Sequence, residues 1–442
     1  MARGKSIWKS TDKYLLGLFM AMLIFGLATI FSSTYEGGAV NLFDFSTIYG
    51  KQVIWVVIAL ILGGFIMLLE GHFIKNSAFI VYGVVLILLI AVLFMPPIKG
   101  VSSWFQLGSV SIQPSEFAKL ACSLAFAKYL SSVNVKIQDA KTRLVVILIL
   151  AVPALLILMQ PDAGTMLVFF AFIFVMYREG LSGNVLLYGF FAVLIVVIAI
   201  FLKASETENL IFGIPFTGNL IFAIVLLLLG GVLFLVIKLL VLPRYRKPRY
   251  KALIWSILTG IIINLSINYI YDSVFKERHR NRFQIMFGII EDRRGVGYNM
   301  WQALSAIGSG EGVGKGYLNG TLSNNKYKHV PEQSTDFIFC SLAEEWGFMG
   351  SLLFVILYLS LLIRMIMIAE RQRSKFTRIF GYCTASILFF HFMINIATVL
   401  GLAPVIGIPL PFFSKGGSAV LTFSVLIFIF LRLDAERKKV LR

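Results

Sequence analysis

Apolar runs of about 20 residues recur from one end of this chain to the other, separated by short polar or basic stretches. About 20 apolar residues of α-helix cross the hydrocarbon core of a bilayer. Hydrophobic residues make up 58% of the 442, and charged residues only 14%. No soluble domain of this size has that balance. The fold class that follows is an all-α polytopic membrane protein.

The runs place about 12 transmembrane helices at roughly 14–33, 52–69, 78–96, 114–131, 143–159, 164–178, 184–203, 218–242, 251–271, 336–363, 380–400 and 418–433. Four stretches follow: a membrane domain with helices 1–7 over 1–203, a helix pair over 204–271, a large polar loop over 272–335, and helices 10–12 over 336–442. Basic clusters mark alternate loops. They include Arg3, Lys5 and Lys9 before the first span, Lys136, Lys141 and Arg143, then Arg244, Arg246, Lys247, Arg249 and Lys251, and the tail Arg437, Lys438 and Lys439. The positive-inside rule puts all of these on one side, with both termini cytoplasmic. The expected location is the cytoplasmic (inner) membrane of a bacterium, multi-pass, with the first helix as its own insertion signal. The net charge of +18 is explained by orientation, so nucleic acid is not an expected partner. Cys122, Cys340 and Cys383 read as apolar filler, and the four His show no metal-ligand spacing.

In this topology the chemically unusual loops share the outer face: 97–113, the turn at Asp162, 272–335 and 401–417. Each has a plain reading beside a functional one. Asp336 falls where Ser334 and Thr335 signal a helix start, and reads as a cap in the first turn or as a general base. Glu116 and Lys119, at i and i+3 after Pro114, read as an ion pair or as substrate contacts. Trp104 is an interfacial aromatic or a platform for a sugar ring. Asp162, after Pro161, suits a turn. The outer loop carries Lys276, Arg278, Arg280, Arg282, Arg293 and Arg294 against the positive-inside trend. Guanidinium groups bind phosphate in a bidentate fork, so anionic headgroups and a pyrophosphate are both candidate partners.

Gly308 through Gly316 imitates a nucleotide loop and fails as one. Ser309 stands where the first Gly is required, and Gly316 follows Lys315 in place of Ser or Thr. It reads as a turn that brings backbone close to something, and no nucleotide is expected. Asn395 and the Gly/Pro stretch from Gly401 to Ser418 supply irregular backbone at the membrane edge, which must be buried in protein or line a cavity.

Taken in order, several short motifs resemble those of the SEDS family (shape, elongation, division and sporulation). They are Gln113-Pro114-Ser115-Glu116 with Lys119, Gln160-Pro161-Asp162 with Gly164-Thr165, Ala306 to Gly310, Pro331-Glu332-Gln333 with Thr335-Asp336, Ala343-Glu344-Glu345 with Gly347, and Gly407 to Phe412. The resemblance implies a peptidoglycan glycosyltransferase that polymerises lipid II, an undecaprenyl-pyrophosphate disaccharide-pentapeptide, outside the membrane. RodA-like elongation is favoured over FtsW-like division. The family's essential Asp carries over onto Asp336, and its outer-loop Trp onto Trp104. Glu116, Lys119, Asp162, Arg278, Arg280, Arg282, Glu332 and Ser414 are the substrate-binding candidates. The implied partner is a class B penicillin-binding protein, a transpeptidase. Relatives usually have a ten-helix core, so the pair over 204–271 reads as an insertion with a packing or docking role. Ser334 replaces a His common before Thr-Asp, and Lys415 replaces a Tyr in the Ser414-to-Ser418 loop.

The expected chemistry is transfer of a glycan with Asp336 as base and Arg and Lys offsetting charge on the leaving pyrophosphate. A divalent cation, Mg or Mn, is a candidate cofactor. The alternatives are a lipid II flippase or transporter, which needs charged residues along a path at the bilayer midplane, and a scaffold for the transpeptidase without chemistry.

Overall fold

A computed structural model describes residues 10–35, 47–96, 102–107, 110–205, 208–211, 214–275, 277–290, 296–322 and 333–437. The helices in order are α1 Lys13–Thr34, α2 Ile48–Leu68, α3 Gly71–Val92, α4 Pro114–Leu130 and α5 Ala140–Met159. Then come α6 Ala163–Leu167, a 3-10 turn over Val168–Ala171, α7 Phe172–Arg178, α8 Gly183–Ala204, α9 Gly218–Leu240 and α10 Pro243–Tyr269. A π turn over Ile270–Val274 leads to α11 Glu277–Met286, α12 Val296–Ser309, α13 Ile338–Glu370, α14 Lys375–Val399 and α15 Gly417–Ala435. Two short antiparallel hairpins interrupt them: β1 Phe105–Leu107 with β2 Val110–Ile112, and β3 Glu208–Ile211 with β4 Ile214–Thr217. Among the described residues, ten helices are long and apolar enough to cross a membrane. The other two apolar segments of the sequence are α4, 17 residues long, and the broken stretch Ala163–Arg178.

The chain divides into two compact units, one of residues 1–181 and 299–442, the other of 182–298. In the first, α15 is buried along almost its whole length, as expected of a helix apolar on all sides. It packs on α2, while α13 packs on α14 and α1, and α4 on α3 and α14.

α13 is broken at Gly347, where φ is 62° and ψ −162°. The Gly-rich stretch after α12 repairs the break. Lys315 and Gly316 donate their N–H groups to the carbonyls of Glu344 and Glu345, at 3.0 and 2.9 Å. Phe348 and Met349 donate to the carbonyls of Glu311 and Gly312, at 2.9 and 3.0 Å. A Cβ on Gly314 would stand 2.2 Å from the Glu345 carbonyl oxygen, so only glycine permits this approach. The partner that the stretch approaches is therefore α13, and the non-helical backbone is satisfied within protein, as lipid requires.

At the far end of α13 an ion cluster joins α1, α13 and α15. Arg364 and Arg371 pair with Asp12 at 2.7 and 2.9 Å, and Arg371 also reaches Asp434 at 2.7 Å. Burial pushes the Asp12 carboxyl up, but Arg364, the Leu15 N–H and Arg371 outweigh it and hold the group below its usual range.

In the second unit α10 packs on α8 and α9, and α11 packs on α8. The basic segment that the sequence suggests as a loop is helical: α10 starts at Pro243, so Arg244 to Lys251 occupy its first turns. Proline at the first helical position favours that start.

Candidate functional site

The site is built around the segment from Pro404 to Gly416, which lies between the turn carrying Asp336 and the helix cap at Asp162. Three consecutive carbonyls of the turn are held. Lys415 donates its N–H to Ser334 at 2.8 Å. The Ser414 hydroxyl donates to Thr335 at 2.6 Å, and the Asn395 amide to Asp336 at 3.0 Å. Asn395 also donates to the Ile408 carbonyl at 2.8 Å, so one buried amide on α14 fixes both walls. Asp336 is half-buried. It lies not in the first turn of α13 but one residue before the N-cap, Phe337, because Ser414, Lys415 and Asn395 take up the carbonyls that would have begun the helix. Opposite stands Gly407 at φ +84°, with Asp336 Oδ2 3.7 Å from the place a Cβ would occupy. The carboxylate thus faces bare backbone.

On the other side of the segment, Gly164 at the start of α6 would put a Cβ 2.7 Å from the Ile406 carbonyl. Asp162 caps that helix. Its carboxylate accepts from the Gln113 amide at 2.9 Å, the Ser115 hydroxyl at 3.3 Å, the Thr165 hydroxyl at 2.8 Å and the Thr165 N–H at 3.1 Å. Two sequence motifs, one before α4 and one before α6, therefore meet on one carboxylate. Gln113 also ties β2 to α15 through its N–H and the Ser418 hydroxyl, 3.1 Å apart. Trp104 is half-buried, immediately before β1 in the same hairpin.

Beneath the segment, Glu116 and Lys119 form a buried ion pair of 2.8 Å. Lys119 also lies 2.9 Å from His391 Nε2, and His391 Nδ1 3.0 Å from the Pro409 carbonyl. Charged groups at this depth persist when mutually satisfied. Ser414 is buried, and besides holding Thr335 it accepts from the Leu410 N–H at 2.8 Å.

His391 escapes the sequence reading, and Asn395, grouped there with the irregular backbone, proves to be helical, within α14. Their one signal is a spacing of four, which puts both on one face of α14 towards the irregular stretch. Glu344 and Lys315 escape it too. Glu344 accepts from Lys315 Nζ at 2.6 Å and from Thr321 and Leu322.

Arg280 and Arg282 belong to the second unit. Arg280 donates to the carbonyls of Phe275 and Asp272, at 3.1 and 3.2 Å, closing the π turn. Arg282 is half-buried on α11. Glu332, Arg293, Arg294 and the side chain of Arg278 lie outside the described residues.

The donor set bears on a divalent cation. Asp162 already accepts from four donors, and among the described residues no group of three His, Cys, Asp or Glu could hold a metal ion. Mg is often held by one or two carboxylates together with substrate phosphates and water. Asp336 fits that mode; an all-protein cage does not.

The profile of the FtsW, RodA and SpoVE family, described as cell cycle protein, matches residues 12–213 and 211–439. The chain is 29% identical to the peptidoglycan glycosyltransferase RodA of Treponema pallidum, over 96% of this chain and 98% of that one. It is 28% identical to the peptidoglycan glycosyltransferase MrdB of Escherichia coli K12, over 98% and 96%. Its fold resembles a chain of a peptidoglycan synthase complex solved for the coordination of polymerization and crosslinking, with a TM-score of 0.65 at 24% identity over 97% of this chain and 98% of that one. It also resembles the rod shape determining protein RodA of Thermus thermophilus, with a TM-score of 0.58 at 21% identity and the same coverage. With the match running over nearly its whole length, this chain is a member of the FtsW, RodA and SpoVE family.

Proposed function

We propose that the chain is a peptidoglycan glycosyltransferase that polymerises lipid II at the outer face of the cytoplasmic membrane, in the RodA manner, during elongation. One observation carries the reading: a half-buried carboxylate, Asp336, is held by its own backbone against Gly407. A general base needs such fixed placement within hydrogen-bond reach of the proton it takes. The acceptor sugar hydroxyl gives its proton to Asp336, and its oxygen bonds to the anomeric carbon of the donor chain. The bond from that carbon to the pyrophosphate breaks, and the pyrophosphate leaves with the electron pair. The anomeric carbon inverts. Trp104 stacks on a sugar ring, and Arg278, Arg280 and Arg282 hold the pyrophosphate. Asp336 is the residue that would hold a divalent cation, and such an ion would supply positive charge near the reacting groups.

The names of the relatives and the end-to-end match support this reading over transport. So does the ion pair of Glu116 and Lys119, which is closed on His391 rather than lining an open path. The proposed setting is a twelve-span chain with both ends cytoplasmic, working beside a class B penicillin-binding protein. Purified protein with labelled lipid II tests it, with and without Mg or Mn and that partner. Asp336→Asn should insert normally and lose about 10²-fold or more of chain synthesis. Unchanged synthesis by the Asn variant would leave a scaffold.

A further inference from the structure

The second unit holds a cavity of about 750 Å³ between α8, α9 and α10. Leu187, Phe191, Leu229, Leu233, Trp255 and Thr259 are among its walls, which are almost wholly apolar. Its position along each helix is informative. On α8 the lining runs from Leu187 to Ile195, on α9 from Leu226 to Leu233, and on α10 it begins at Ala252, directly after the basic turns. On α9 the lining ends five residues before Lys238, and on α10 it starts one residue after Lys251, so one end of the groove adjoins the basic turn between α9 and α10. Along α10 the lining extends from Ala252 to Ile263. At 1.5 Å per residue that is about 16 Å, close to half of a hydrocarbon core of about 30 Å. The groove is as deep as one leaflet.

Its mouth is charged. Lys238 ends α9, and Arg244, Arg246, Lys247, Arg249 and Lys251 fill the first turns of α10. From Gly218 to Tyr271 the sequence contains these six cations and no Asp or Glu. Lys251 directly precedes Ala252, where the groove begins. Trp255, on the next turn, is 66% exposed and lines the wall, a common position for an indole below the headgroups.

We propose that this groove is a binding site for an anionic phospholipid of the leaflet on the α9–α10 side. The acyl chains lie against α8, α9 and α10, and the phosphate is held by the basic turns. Neither feature suffices alone. An apolar groove would accept any lipid, and a basic hairpin end attracts any anionic surface. Their alignment, one leaflet deep with the cations at the mouth, selects a lipid with both a negative headgroup and chains. The site gives the helix pair over 204–271 a role separate from the chemistry at Asp336.

The test uses the full-length chain in phosphatidylcholine vesicles containing phosphatidylglycerol brominated on its acyl chains. The chain has six Trp, so the signal is the difference in quenching between the parent and Trp255→Phe. Quenching of Trp255 should saturate at about tenfold lower mole fraction of brominated phosphatidylglycerol than of brominated phosphatidylcholine, a preference of about 1.4 kcal/mol. The combined change of Arg244, Lys247, Arg249 and Lys251 to Gln, all exposed positions, should remove the preference. Thr259→Phe, which fills the groove, should weaken quenching by both lipids. Millimolar inorganic phosphate in the water should leave the signal unchanged. Equal quenching by the two lipids, a preference that survives the Gln changes, or displacement by inorganic phosphate would each overturn the assignment.

Discussion

The side-chain amide of Asn395 donates to the backbone carbonyl of Asp336 at 3.0 Å and, with its other hydrogen, to Ile408 at 2.8 Å. One residue of α14 therefore sets the spacing between the proposed base and the backbone it faces. Asn395→Ala leaves two carbonyls without this donor in a buried place, a loss of about 1–3 kcal/mol of stability. We expect kcat for lipid II polymerisation to fall about tenfold or more with KM little changed, since the displaced group acts in the transition state. A fall in KM alone, or none in kcat, would show that the turn keeps its position unaided.

Glu344 is fully buried and gathers Lys315, Thr321 and Leu322 onto one carboxylate. These contacts clamp the Gly-rich stretch into the break of α13. Breaking a buried pair from one side costs about 3–5 kcal/mol. Lys315 keeps some exposure, so Glu344→Ala should fall at the lower end, about 3 kcal/mol. Glu344→Gln keeps an acceptor and should lose less. Thermal unfolding in detergent would rank parent, Gln and Ala in that order; a Gln variant as weak as Ala would mean that the charge, not the hydrogen bonds, holds the clamp.

Hydropathy makes the apolar segments legible, because each must fill a bilayer with its own residues. The turn at Asp162 is legible for a similar reason: the carboxylate caps the N–H and hydroxyl of Thr165, three residues on. What the sequence hides is pairing across distance. Lys119 meets His391 over a separation of 272 residues, and nothing near either position announces the other. The break at Gly347 is hidden too, since its glycine could equally pack a helix; only the approach of Lys315 and Gly316 decides it. The boundary at Asp336 shifts by two residues because the 414–415 segment, 79 residues away from Thr335, competes for the carbonyls that a local reading assigns to the helix. Arg244 to Lys251 read as a loop because charge dominates them, yet Pro243 starts a helix there.

Arg280 and Arg282 test pyrophosphate recognition. Arg280 already spends two donors on the carbonyls of Phe275 and Asp272, which orients its guanidinium. Lys keeps the charge and loses the fork. Arg280→Lys or Arg282→Lys should lower polymerase activity about tenfold or more, a loss of about 1.4 kcal/mol of transition-state binding. If both Lys variants work normally while Gln variants fail in a salt-dependent way, the loop is only an electrostatic lip.

The turn between α9 and α10 tests the topology. Among the described residues, ten helices have the length and apolar character to cross a bilayer, and the side on which any loop falls depends on α4 and the broken stretch Ala163–Arg178 crossing as well. With both counted and the N-terminus cytoplasmic, the basic first turns of α10 face the cytoplasm, in keeping with the excess of Arg and Lys there. Pro248 is exposed within these turns, and the native cysteines, Cys122, Cys340 and Cys383, are all buried, so they give little background. Pro248→Cys should resist a membrane-impermeant thiol reagent in intact cells and react once the cells are opened. Losing the proline removes no hydrogen-bond donor, so the helix is kept. Rapid labelling in intact cells would put the α9–α10 turn outside. It would move the 272–335 loop to the inner face with it, and with that loop the side of the membrane on which Asp336 could meet its substrate.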